Sequence, residues 1–178
     1  PLEPEAHQAP VHAELGDILA THLDDLESAK THLETALFGD APIDGRARSA
    51  ALSKLVMLLR GRGMEAPADA ERLAEVLTIF AETLAGRERA DARVELGDVY
   101  RLHLAKAEDA LGAYEAALAN AEDHPEAFAG VRALVDDENT PVRTRRRAGR
   151  MVLLKAEDDD DALATATVLR VLCDIEED

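Results

Sequence analysis

Apolar residues recur along this chain at spacings of three and four. Val11, Leu15, Ile18, Leu19 and Leu23 keep that rhythm, as do Leu52, Leu55, Val56 and Leu59, and again Leu96, Val99, Tyr100 and Leu104. A period near 3.6 marks a helix with one face in a core, and no stretch holds the period of two that a strand needs. The pattern predicts helices over 11–23, 26–38, 45–61, 68–85, 89–104, 107–121, 125–136, 141–156 and 159–176.

The breaks between these stretches carry helix-end chemistry. Asp24-Asp25-Leu26-Glu27 has the spacing of a capping box starting at Asp24, and Thr140 precedes Pro141 as a cap before a first-turn proline. Pro67 and Pro125 open helices in the same way, while Gly39, Gly61, Gly63 and Gly86 sit where helices should stop. Connections are short, the longest being Gly61 to Ala66, so successive helices are expected to pack as antiparallel hairpins.

A repeat runs through this pattern. Leu15-Gly16-Asp17-Ile18-Leu19 returns as Leu96-Gly97-Asp98-Val99-Tyr100. Thirteen residues past each glycine stand Ala29 and Ala110, then Leu33 and Tyr114, then Ala36 and Ala117; His22 and His103 also correspond. A looser copy has Gly149, Ala162, Ala166 and Leu169, and a degenerate one has Ser53, Ala74, Thr78 and Ala81. Glycine on one helix and alanine on the next let two axes approach closely, with Leu15, Leu19 and Leu33 filling the flanks. A single hairpin cannot bury its apolar stripe alone, so stacking is expected.

This grammar resembles the tetratricopeptide repeat family, most closely over 11–38 and 90–125, less over 142–176 and least over 44–86. The resemblance implies an all-α fold of hairpins stacked into a right-handed superhelical solenoid. It gives one helical-repeat domain over 1–178, with hairpins at 11–38, 45–85, 89–121 and 141–176 and an extra helix at 125–136. The chain departs from the family by one added residue between glycine and alanine, and by that extra helix. A HEAT-like or irregular helical repeat is the alternative.

Composition removes other classes. Of 178 residues 47% are hydrophobic and only 3% aromatic, against 20 basic and 37 acidic side chains, a net charge of −17. Periodic apolar residues at that level exclude a disordered or collagen-like chain. No apolar run reaches the roughly 18 residues of a membrane span, so no membrane insertion is expected, and the negative charge repels nucleic acid. The lone Cys173 forms no internal disulfide. Arginine far outnumbers lysine, the usage of a GC-rich bacterial genome. The chain opens at Pro1 inside what reads as a repeat junction, Leu2-Glu3-Pro4, as an excerpt of a longer protein would. A cytoplasmic setting is favoured, with a removed signal left open.

Chemistry-bearing constellations are thin. The histidines at 7, 12, 22, 32, 103 and 124 make no zinc motif, and Ser28, Ser49 and Ser53 lie in no nucleophile elbow. Gly61-Arg62-Gly63 lacks the spacing of a phosphate loop, and Cys173 sits among apolar residues. These readings lead to no enzyme, no cofactor and no metal.

Two charge clusters stand out. Arg143, Arg145, Arg146, Arg147 and Arg150 read either as an anion or acidic-partner site or as a solvated face that meets acids of a neighbouring repeat. Asp158 to Asp161 read either as a cation site or as acids favoured by the start of the last helix.

In the family the first helices line a concave groove that takes peptides or helices. The resemblance places Asp17, Lys54, Asp98 and Arg150, each just past a motif glycine or its equivalent, toward such a groove. Thr21, Met57, Arg101 and Arg146 are their neighbours, with Ala13, Val94 and Leu153 beside them. The groove would grade from acidic to basic. The expected function is a non-catalytic scaffold for a protein or peptide partner, with self-association open. An architectural segment of a longer array, or a regulatory domain fused to an enzyme, is the alternative.

Overall fold

The computed structural model describes the backbone of residues 8–61 and 66–177. The Leu2-Glu3-Pro4 junction, His7, and Arg62 and Gly63 of the longest predicted loop lie outside the described residues. Among those residues all regular structure is helical: α1 (Gln8–His22), α2 (Leu26–Phe38), α3 (Gly45–Gly61), α4 (Pro67–Thr83), α5 (Gly86–Leu102), α6 (Ala107–Leu118), α7 (Pro125–Asp136), α8 (Val142–Asp158) and α9 (Ala162–Glu177). Each predicted helix is found, with ends within about three residues of the periodicity's limits.

The chain divides into two compact units, residues 1–84 and 85–178. In the first, α1 packs on α2 and α3, α2 on α3, and α3 on α4. In the second, α5 packs on α6 and α7, α6 on α7 and α8, and α8 on α7 and α9. The helix at 125–136, extra in the repeat grammar, is thus held on three sides and is a full member of its unit.

The motif glycines are sockets. A Cβ on Gly16 would stand 2.7 Å from Leu33 Cγ and 3.1 Å from the Ala29 carbonyl oxygen; one on Gly97 would stand 2.5 Å from the Tyr114 ring. The large residue of the second helix therefore sits on the glycine itself, rather than filling a flank as expected. Ala29 and Ala110 are fully buried beside these contacts. Tyr114 fills a second socket on its other side, at Gly130 of α7.

At Gly149 the occupant is Leu172, not Ala166 as the repeat spacing suggested. Helix length explains the slip. α1 and α5 stop five or six residues past their glycines, and the facing side chain is seventeen residues along. α8 runs nine residues past Gly149, so both arms of the hairpin lengthen by three or so and the facing residue moves by six.

The turns of these three hairpins share a device that the sequence did not show. Asp24, Ala105 and Asp160 all take positive φ, at 53°, 51° and 54°. In the first two, the next residue's N–H returns to a carbonyl six positions back, Asp25 to Leu19 (3.2 Å) and Lys106 to Tyr100 (2.9 Å). Alanine has no side-chain hydrogen bond to offset the left-handed strain of roughly 1–2 kcal/mol. Ala105→Gly is therefore expected to raise stability by about 0.5–1 kcal/mol in urea denaturation, after the added freedom of the unfolded chain is subtracted.

Some helix ends differ from expectation. Asp25, not Asp24, caps α2, accepting the Ser28 N–H at 3.1 Å, because Asp24 is committed to the turn. Pro141 occupies the N-cap of α8 and Thr140 is buried, making no side-chain cap. The apolar run of α1 is also not its packing face: Val11 (59%), Ile18 (47%) and Leu23 (65%) are exposed, while Ala9 and Gly16 are buried. Among the described residues α1 packs chiefly on α2 and α3, which leaves this run exposed; α3, packed on α1, α2 and α4, buries Leu52, Leu55, Val56 and Leu59 as expected.

Candidate functional site

The predicted groove residues gather into three separate groups. In the first unit Asp17 and Thr21, a turn apart on α1, meet Lys54 of α3. Lys54 Nζ lies 2.7 Å from Asp17 Oδ1 and donates to Thr21 Oγ1 at 3.0 Å. The Lys54 ammonium holds the Asp17 carboxyl below the usual carboxylate range, against a smaller opposing effect of burial. Met57 follows one turn along α3, 58% exposed. Beside them a recess of about 380 Å³ opens between α1 and α3, with Pro10, Ala13 and Glu14 on one wall and Ala47 and Ala50 on the other.

A depressed carboxyl contributes stability above its unfolded value, and that contribution fades as pH falls through the folded one. The exposed pair is screened, so the useful readout is the titration itself. In Lys54→Met the Asp17 carboxyl is expected to return to the ordinary aspartate range in an NMR pH titration. An unchanged midpoint would remove Lys54 as the cause.

In the second unit Asp98 and Arg101 are drawn together by a partner the groove reading did not use. The Tyr114 hydroxyl donates to Asp98 Oδ1 at 2.7 Å, while Arg101 donates to the Tyr114 oxygen from Nε (3.1 Å) and to Asp98 from its terminal nitrogen (3.0 Å). Burial drives the Tyr114 phenol far above its ordinary range; the hydrogen bond to Asp98 adds to this, and Arg101 works against it. The three groups satisfy one another, so this group secures the α5–α6 hairpin from its polar side.

Arg146 and Arg150 lie elsewhere, on a recess of about 420 Å³ between α6 and α8 that Arg143 and Arg147 also line. Arg147 is paired with Glu115 of α6, the neighbouring-repeat pairing that the sequence left open. Arg145 turns the other way, its Nε donating to the Val135 carbonyl at 3.2 Å. The Asp158–Asp161 run is used locally: Asp159 accepts from Lys155 Nζ at 2.6 Å, and Asp161 accepts the Leu163 N–H at 3.2 Å. Among the described residues no three His, Cys, Asp or Glu side chains converge as a metal ion would need.

Two histidine contacts escaped sequence reasoning. His12 of α1 and His32 of α2 face each other with Nδ1 atoms 2.8 Å apart and ring centroids 5.0 Å apart. An imidazole nitrogen lies about 1.1 Å from its ring centre, so these distances describe rings meeting nearly head-on in an N–H···N hydrogen bond. His124 is 2% exposed, with Nε2 2.7 Å from Asp91 Oδ1 and Nδ1 accepting the Ala127 N–H at 3.4 Å, which caps α7. The His124-Pro125 pair marked that helix start. Its carboxylate partner lies thirty-three residues back, and no local spacing reports it. Cys173 is exposed, not the buried hydrophobe its neighbours suggested.

No protein-family profile matches the chain, and neither curated proteins nor solved structures give a match.

Proposed function

We propose that this chain is a non-catalytic protein-interaction module, a tetratricopeptide-like array that receives a peptide or helix of a partner on its first helices. The observation that carries this reading is the recess between α1 and α3. Ala13, Asp17 and Lys54, which the family resemblance would turn toward a groove, all line it, and Met57 continues the surface outward. A concave surface with a satisfied ion pair and an adjoining flexible apolar side chain suits docking, because Met adapts its shape to what it meets. The glycine sockets and the shared turns of the hairpins support repetition as the architecture.

A photo-crosslinking residue placed at Met57 of the protein in its source cells tests the proposal. A discrete adduct at Met57, lost in Asp17→Lys and absent with the crosslinker at exposed Glu138, is the expected result. Equal labelling at both positions would overturn it. The architectural alternative is favoured by one feature, the open stripe of Val11, Leu15 and Ile18, which another helix of a longer array would cover.

A further inference from the structure

The arginine face of α8 answers to a different ligand from the recess in the first unit. Arg143, Arg146, Arg147 and Arg150 stand at successive turns of one helical face, so their guanidinium groups spread over about 10 Å along the axis. Only Arg147 is engaged, by Glu115; no hydrogen bond or ion pair ties down Arg143, Arg146 or Arg150 among the described residues. Arg146 Nε is buried and has no acceptor, an arrangement folded proteins rarely leave standing. These cations also crowd the first turns of a helix, where the backbone dipole disfavours them, in a chain whose net charge is −17. A single carboxylate, Glu108, lies on the recess wall. Beside the buried Thr144 the remaining lining is apolar: Leu111 of α6, which is fully buried, Met151, and Leu154, which is 63% exposed.

We infer that this surface binds an acidic amphipathic helix of a protein partner, which sets carboxylates on the arginines and an apolar stripe on Met151 and Leu154. Size and spacing select this ligand over simpler anions. One phosphate spans about 3 Å and reaches one or two of the guanidinium groups, leaving the rest as they are. Arginines three and four residues apart advance about 5 Å per step, close to the 5.4 Å pitch of a facing helix, whereas same-side residues of an extended strand advance nearly 7 Å. The apolar floor beside the cations has no use for nucleic acid phosphates, and the negative chain as a whole repels them. Each guanidinium fork donates two parallel N–H bonds to one carboxylate, which suits Arg143 and Arg150 to glutamates spaced along a facing helix.

This site is independent of the recess between α1 and α3, so either can fail without the other. The test uses the whole chain and a fluorescent synthetic helix with glutamates one turn apart beside a leucine stripe, read by anisotropy. Binding is expected, weakening with added salt, and falling about tenfold or more in Arg143→Gln/Arg150→Gln, whose side chains hold nothing else in place. Leu154→Ser is expected to weaken it as well, with thermal unfolding followed by circular dichroism to confirm that both variants fold. A proline-broken peptide of the same composition should bind far less. Equal binding of that peptide, displacement by equimolar inorganic phosphate, tighter binding of a single-stranded RNA, or unchanged affinity in the arginine variant would each overturn the inference.

Discussion

Tyr114→Ala is expected to lower the stability of the second unit by about 3–5 kcal/mol, read as a fall in the urea midpoint with little change in slope. The side chain is fully buried, and its ring is shared by three helices: it grows from α6, lies against Gly97 of α5 and fills the socket at Gly130 of α7. Removing it empties a space that two glycine backbones cannot fill, so little of the loss is recovered by relaxation. It also takes away the hydroxyl that donates to Asp98 and accepts from Arg101. Tyr114→Phe separates the two effects. The ring remains, Asp98 and Arg101 keep their own 3.0 Å contact, and the cost is expected at about 1–2 kcal/mol. Equal losses in the two variants would mean that the hydroxyl, not the ring, holds the unit together.

Gly97→Ala is the reciprocal experiment. The added methyl would meet three ring atoms of Tyr114 at 2.5–2.8 Å, and the ring cannot retreat because Gly130 backs it. Overpacking at so constrained a place is expected to cost about 2–3 kcal/mol. Gly112→Ala supplies the control: it is also helical and its Cβ meets nothing within 4 Å, so it is expected to gain up to about 1 kcal/mol from helix propensity. A stronger test pairs the sites. In a Tyr114→Ala background, which removes the ring atoms that the methyl would meet, Gly97→Ala should hurt less than in the native chain. Additive losses would show that the methyl clashes with something other than the ring.

These two residues mark how far the sequence could be read. Fixed spacings put Gly97, Ala110 and Tyr114 in one hairpin, because register across a short hairpin is set by counting along two helices, but they expected Tyr114 on a flank and not on the glycine itself. Gly130 was invisible, since it reaches Tyr114 from a third helix whose placement no spacing within one hairpin encodes. The same limit applies to the candidate sites. Asp17 and Lys54 occupy equivalent repeat positions and do meet at 2.7 Å. Asp98 and Arg150, equally equivalent by motif, do not share a site: the first is held by Tyr114, and the second faces α6 across a recess of its own.

The amino-acid order alone settled where the nine described helices lie, because a 3.6-residue rhythm and its proline and glycine breaks are properties of each segment by itself. It could not settle which face of a helix meets water. The run Val11, Leu15 and Ile18 has the form of a core stripe, yet it is exposed because, among the described residues, α1 packs chiefly on α2 and α3, through another face. It could not fix the occupant of Gly149 either, which depends on how far α8 continues before turning. Nor could it tell which arginines of the 143–150 block are spent on Glu115 and Val135 and which are left without partners. Burial, register between hairpins and the pairing of charges are decided by what packs against each helix, and that is set by distant parts of the chain.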